Sequence, residues 1–389
     1  MSFARLPSNA TLSPEPFTAT IPDAALDELR TLVKCAKLAP DTYEGSLGDL
    51  KYGISNRWIR EAKETWATTF DWRKHEAEIN SVPNYTAKIV DEGHEHTIHF
   101  AALFSEKADA IPIVLLHGWP GSFLEFLPIL TLMRTRYTPA TLPYHLIVPS
   151  MPGYTFSSRP PLDREFDTIN VARIFNTLMV GLGFGGGYVA QGGDIGAKVA
   201  RILSVQYESC KVNFCTFLLP YAGLTPVEEL TPTEQRGIAR ATDFQTRGRG
   251  YAIEHGTKPA TLGIALSSSP IALLAWIGEK FLAWTDEDPP LDTILASVTL
   301  YWVTECIASS FFPYRQATAQ HDDPAWHITK PLGYSYFPKE LYPVPRSWVA
   351  TTGNLVFYKA HETGGHFAAV EKPEVLWADV EEFVAQVWH

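Results

Sequence analysis

Cysteine is scarce and unpatterned. The 389 residues hold four, Cys35, Cys210, Cys215 and Cys306, with no CxxC pair. That spacing supports neither a disulfide framework nor a zinc site, and reduced, buried thiols are expected. A basic surplus is also missing. Lys and Arg number 32 against 43 Asp and Glu, a formal charge of −11, which argues against a nucleic-acid-binding surface. Long apolar runs are absent too. The most lipid-like stretch, Pro270 to Gly278, falls well short of the ~20 residues that span a bilayer. Met1-Ser-Phe-Ala-Arg-Leu-Pro7 lacks the basic-then-apolar pattern of a secretion signal. A cytoplasmic protein with no membrane contact is the expectation, so the sequons at Asn9 and Asn84 carry little weight. No internal repeat is visible.

What is present is ordinary globular composition, 46% hydrophobic and 19% charged. The length fits one large α/β domain with insertions, or two domains. The 11 Trp, 16 Tyr and 21 Phe suit an apolar pocket and equally a core. Capped, amphipathic spacing predicts helices from Asp23 to Val33 and from Asn56 to about Thr69. Alternation predicts strands at Tyr85–Val90 and His96–Phe100. Ile111–Leu116, Tyr144–Pro149, Tyr188–Gln191 and Lys211–Leu219 are continuous apolar runs, as in strands buried on both faces of a parallel sheet. Helices are expected between them. Residues 221–320 turn polar and helical, and strand character returns at Ser347–Gly353 and Leu355–Tyr358 before a last helix from Glu374 to Val387. The expected organisation is an N-terminal helical arm over 1–84, core over 85–220, a helical lid over 221–320, and core again over 321–389. Strand–helix alternation with an insertion before the last strands is an α/β-hydrolase-like plan: a mostly parallel central sheet with helices on both faces.

Two patterns invite assignments that their context denies. On a strand, His94 and His96 share a face but His99 does not, and no carboxylate or thiol has metal-ligand spacing to them. Gly181, Gly183 and Gly186 match G-x-G-x-x-G, yet they follow a helix and precede a strand, the reverse of the dinucleotide-binding context.

Chemistry concentrates at Gly192-Gly-Asp-Ile-Gly196. Strand, tight turn and helix succeed one another, with an acid at the apex between glycines. Such a turn strains its central residue and exposes the side chain at the strand's C-terminal end. Serine usually stands there; here it is Asp194, which can attack carbon and form an ester. The plain alternative is a glycine-rich turn with a capping aspartate. Cleaving an ester needs a base, and His366, in Gly364-Gly-His-Phe367, lies in a loop after a late strand. Chain order in this fold runs nucleophile, acid, His. The acid is then Glu340, in Phe337-Pro-Lys-Glu-Leu341, with Glu362 as its rival. Both His366 and Glu340 could equally be a satisfied loop histidine and a solvated glutamate. Backbone N–H groups of Trp119, in His117-Gly-Trp-Pro120, and of Ile195 are candidates for an oxyanion hole around the carboxylate oxygen of Asp194.

His117-Gly-Trp-Pro-Gly-Ser122, Gly192-Gly-Asp-Ile-Gly196, Phe337-Pro-Lys-Glu-Leu341, Pro345-Arg-Ser-Trp348 and Gly364-Gly-His-Phe-Ala368, in that order, resemble the microsomal-type epoxide hydrolases, in particular their soluble fungal members. The resemblance spans essentially the whole chain. It implies that Asp194 is the nucleophile, His366 the general base and Glu340 its orienting acid. It implies that Tyr251, in Arg249-Gly-Tyr-Ala252, and Tyr314, in Phe312-Pro-Tyr-Arg315, donate to the epoxide oxygen; packing or rim tyrosines are the alternative. A phenol with a pKa near 10 can stay protonated and deliver its proton as charge develops. The reaction implied is epoxide plus water to a vicinal diol, without metal or cofactor, in detoxification or aromatic-hydrocarbon catabolism. A homodimer is the expected assembly. Two other readings compete: a haloalkane dehalogenase, with Trp119 as the halide donor to suspect, and a non-catalytic binding module on the same fold.

Overall fold

In the computed structural model, which describes residues 3–218, 225–315 and 323–389, the apolar runs become the middle of one sheet. Its strands are β1 (Glu15–Phe17), β2 (Asn84–Asp91), β3 (His94–Leu103), β4 (Ile111–Leu116), β5 (Tyr144–Pro149), β6 (Tyr188–Gly192), β7 (Cys210–Cys215), β8 (Ile328–Tyr336) and β9 (Gly353–Ala360). They lie in the order β1-β2-β3-β5-β4-β6-β7-β8-β9. β1, β2, β3 and β5 pair antiparallel; from β5 across to β9 every pairing is parallel. Helices flank both faces, so the middle strands need no polar side: all of β5 and all but the first residue of β4 are buried. Alternate side chains still sort onto two cores. Val114, Leu116, Ile147 and Ala190 join one, while Ile113, Leu115, Leu146 and Val189 join the other, as a period of two requires. Each such Leu, Ile or Val contributes ~1.5–3 kcal/mol by burial. This is the α/β-hydrolase fold.

From β4 the chain steps to β5 on one side, then passes back across β4 to β6 on the other. That reversal leaves a crevice at the C-terminal ends of β4 and β6, where sheets of this kind bind ligands. Helices Pro232–Asp243, Gly250–Thr257, Pro259–Ser267, Pro270–Trp284 and Leu291–Val303 cover it. The cover is clamped by the N-terminal helices Asp23–Cys35 and Asn56–Thr68. The indole N–H of Trp66 donates to Thr299 Oγ at 3.0 Å, and a methyl group at Gly278 would lie 2.9 Å from the Trp58 ring. No single helix among the described residues is long and apolar enough to cross a membrane.

The C-terminal third departs from the sequence reading. Ser347–Gly353 is not a strand. Pro345 instead opens a short helix, Arg346–Val349, which runs into a 3₁₀ turn, Ala350–Thr352; proline at a helix start leaves no donor unsatisfied. The guanidinium of buried Arg201 ties that turn down, donating to the Thr352 carbonyl at 2.8 Å. The strand beside β7 is β8, which was not anticipated because Lys330, Pro331 and Gly333 interrupt its apolar pattern. β9 begins at Gly353 and takes in the expected Leu355–Tyr358. The expected boundaries at 220/221 and 320/321 lie outside the described residues, as does Leu219 at the end of the expected strand Lys211–Leu219. His99, from the discounted histidine string, has both ring nitrogens engaged, by Ser150 Oγ at 2.9 Å and Asn84 Oδ1 at 3.1 Å.

Candidate active site

The turn from β6 into helix Asp194–Gln206 places Asp194 at φ +48°, in the left-handed region. For a residue with a side chain that costs ~1–3 kcal/mol, and packing must hold it there. Here the packing is glycine against backbone. A methyl group at Gly196 would stand 2.1 Å from the Leu116 carbonyl oxygen, and one at Gly192 would stand 2.3 Å from the Gly196 oxygen. The helix start therefore seats directly on the end of β4. The carboxylate sits at a helix N-terminus, where the dipole favours negative charge. The loop after β4 closes around it. Trp119 N–H donates to Asp194 Oδ1 at 2.9 Å. Gly118 lets the loop approach: a methyl group there would lie 2.3 Å from the same oxygen. In this resting arrangement the Ile195 N–H makes no hydrogen bond to the carboxylate.

The other oxygen, Oδ2, faces His366 Nε2 at 3.7 Å. His366 Nδ1 meets Glu340 Oε1 at 2.5 Å, and Leu341 N–H donates to the same oxygen at 2.5 Å. His366 and Glu340 come from different loops, after β9 and after β8, which are stitched together by Lys339 N–H donating to the Gly364 carbonyl at 3.0 Å. The cover reinforces both. Arg240 donates to the carbonyls of Glu340 and Lys339 at 2.8 and 2.7 Å, and His366 N–H donates to the Trp284 carbonyl at 2.8 Å. Glu362, the rival acid, is exposed. Burial opposes a charged imidazole here. The charge and hydrogen bond of Glu340, then the charges of Asp194 and Glu125, outweigh it and raise the His366 pKa to about 9.

Tyr251 comes from helix Gly250–Thr257 and Tyr314 from the 3₁₀ segment Ser309–Tyr314. Their rings meet edge to face at 5.8 Å, and Trp119 stacks on Tyr251 at 5.2 Å. The Tyr314 hydroxyl is buried without a well-formed hydrogen bond. Burial foremost pushes both phenols well above their usual pKa, with the charge of Asp194 adding to it, so both stay protonated.

Three polar residues of this chamber escaped sequence reasoning. Glu125, in the turn Phe123–Phe126, is held protonated to about pH 8, by burial first. His255 accepts from the Trp276 indole N–H at 3.0 Å, and burial keeps its ring neutral. Lys280 stands 4.9 Å from the centroid of the Tyr251 ring and pairs with Glu279 at 2.6 Å. Helical spacing was the available signal: His255 is four residues from Tyr251, and Lys280 four from both Trp276 and Trp284. A cavity of about 960 Å³ is lined by Tyr301, Phe311 and Phe312, among others, and by none of Trp119, Asp194, Tyr251, Glu340 and His366. The Tyr301 hydroxyl donates to the Gly121 carbonyl at 2.8 Å, and the Phe311 ring packs on His255.

Comparison with known proteins agrees with this geometry. A family model described as the epoxide hydrolase N terminus matches residues 14–126, and one for the alpha/beta hydrolase fold matches residues 111–274. The chain is similar to the solved structure of an Aspergillus niger epoxide hydrolase, with 53% identity, a TM-score of 0.96 and 100% of each chain covered. A Dothistroma septosporum protein provisionally named an epoxide hydrolase is 44% identical over 388 residues, 98% of this chain and 92% of that one. Epoxide hydrolase 1 of Oryctolagus cuniculus is 31% identical over 412 residues, 96% of this chain and 89% of that one.

Proposed function

The chain belongs to the epoxide hydrolase family and is an epoxide hydrolase; from that premise we propose that it works through a covalent ester on Asp194. The observation that carries this reading is the division of labour between the two carboxylate oxygens. Oδ1 is held by Trp119 N–H at 2.9 Å, while Oδ2 is left facing His366 Nε2 at 3.7 Å. Oδ2 attacks an epoxide carbon, the C–O bond breaks, and the departing oxygen takes a proton from Tyr251 or Tyr314. Both phenols are protonated over the working range, as a general acid must be.

Electrostatics orders the second step. While Asp194 is ionised, its charge helps hold the proton on His366. Esterification removes that charge, the imidazolium gives its proton to the tyrosinate left by ring opening, and the neutral imidazole is free to act as base. It then takes a proton from water, which attacks the Asp194 carboxyl carbon. Charge develops on Oδ1, which Trp119 N–H already holds at 2.9 Å; one such donor is typically worth ~3 kcal/mol of barrier, and the Ile195 N–H is the second donor of this reading. Collapse of this intermediate frees the diol, the imidazolium returns its proton, and Glu340 holds the ring in place throughout. The substrate is a small epoxide with an apolar, aryl-tolerant body, because Trp119, whose N–H holds Asp194, is in ring contact with Tyr251 and Trp284.

His366→Gln should let the ester accumulate, and Asp194→Ala should leave no turnover. Intact mass and peptide mapping after mixing with a styrene-type or glycidyl epoxide read both. Absence of any adduct on the peptide carrying Asp194 in His366→Gln would contradict the covalent route.

A further inference from the structure

We propose that Glu125 is a positioning residue for the hydrolytic half-reaction, a carboxyl group that becomes the counter-charge of the His366 imidazolium once Asp194 has been esterified. This rests on the covalent reading above.

The placement of Glu125 is unusual for a surface-helix acid. It follows Ser122, whose hydroxyl caps the turn Phe123–Phe126, and its side chain folds back over its own loop. Its Oε1 fills the space that a side chain on Gly121 would take: a methyl group there would lie 1.3 Å from that oxygen. The residue as a whole is only part-buried, but its carboxyl end is enclosed by protein. Gly121 belongs to the loop whose Trp119 N–H binds Asp194, so the glycine that admits Glu125 and the donor that holds the nucleophile are two residues apart. The turn Phe123–Phe126 packs against the short helix Ala368–Glu371 that follows His366, and the charged and titratable groups that act on this carboxyl from the packed elements are His366, Asp194 and Tyr301. The backbone at Ser122 supplies a hydrogen bond.

Those neighbours give the group a state that depends on the reaction. In the resting enzyme burial holds the carboxyl protonated, and the Asp194 charge adds to that. Two adjacent anions in a dry site are avoided when one of them carries a proton. Esterification deletes the Asp194 charge. The remaining neighbour of opposite sign is His366, which is about to take a proton from water. Glu125 can then ionise, and an imidazolium–carboxylate pair replaces the one lost at Asp194. In balance, the proton carried by the resting imidazolium neutralises the tyrosinate left by ring opening, and the proton that leaves Glu125 passes to solvent. The proton taken from water by His366 returns to the leaving oxygen, the one released by regenerated Asp194 goes back to His366, and Glu125 takes its proton again from solvent. Gly121 thus does for Glu125 what Gly118 does for Asp194: it leaves room for a carboxyl against the loop.

The test separates the two half-reactions in single-turnover experiments, with intact-mass detection of the ester across pH. Glu125→Gln keeps the shape and removes the charge. Ester decay should slow about tenfold, the effect of an interaction worth one pKa unit, and ester formation should slow much less. The acidic limb of ester decay should also move to lower pH, because a lost neighbouring carboxylate lowers the imidazole pKa. Glu125→Asp should recover part of the rate and of the limb. Gly121→Ala, which displaces the carboxyl without altering it, should resemble Glu125→Gln. An unchanged decay rate with an unmoved limb overturns the proposal. So does equal loss in both half-reactions with no recovery in Glu125→Asp, the mark of a structural role. If the wild-type chain forms no ester at all, the covalent reading falls along with it.

Discussion

The proposed covalent route gives the two carboxylate oxygens of Asp194 different tasks. Trp119 N–H fixes Oδ1, and His366 stands off Oδ2 by 3.7 Å. The same proximity couples their titrations. In Asp194→Asn the His366 ring should titrate below the wild-type value of about 9, followed by NMR of the imidazole; an unchanged value would contradict the electrostatic switch. In the proposed route Tyr251 and Tyr314 share one task from two elements, so each Phe substitution should slow ring opening by about 10²-fold. The double variant should be slower than either single one, read as the rate of ester formation. Single variants at wild-type rate would assign the proton to another donor. At this scale Asp194, His366 and Glu340 were legible because a strained elbow, a glycine-flanked loop and chain order each leave marks in sequence. The tyrosines were legible only through family resemblance, since they reach the chamber from separate segments of the cover. Glu125 was not legible at all, because its environment is built by Gly121 and by a loop more than two hundred residues downstream.

The elements hold the site by backbone-to-backbone contact. With a methyl group 2.1 Å from the Leu116 oxygen, Gly196→Ala must push the helix start off β4. It should destabilise the protein by ~1–3 kcal/mol, the usual cost of overpacking, measured by denaturant unfolding, and should lower activity by shifting Asp194. Full stability with full activity would show that the contact has slack. The central strands were readable because both faces are buried and their apolar runs are unbroken. β8 was unreadable for the opposite reason: Pro331 and Gly333 break its pattern, and only pairing between β7 and β9 makes it a strand. Ser347–Gly353 misled because its half-buried Trp348 and buried Val349 owe their cover to tertiary contacts of a short helix, not to a sheet.

Across the whole molecule the cover and the site are one electrostatic and mechanical unit. Arg240 and Trp284 of the cover bond the loops carrying Glu340 and His366. The N-terminal helices in turn hold the cover through Trp66 and Trp58. A pH signature follows. The folded pKa of His366 lies above the ordinary value of 6.5, at about 9, so the native state binds the extra proton between them. The stability it contributes is fully present below pH 6.5 and is lost as pH rises through about 9. Tm should fall across that window in the wild type and fall less in His366→Gln. The central claim, a covalent bond between Asp194 and substrate carbon, is tested most directly by a single turnover in H₂¹⁸O. The account predicts a first diol carrying no ¹⁸O and heavy oxygen in the peptide containing Asp194, because water attacks the carboxyl carbon. Heavy oxygen in the diol of that first turnover, with an unlabelled peptide, would mean that water attacks the epoxide itself.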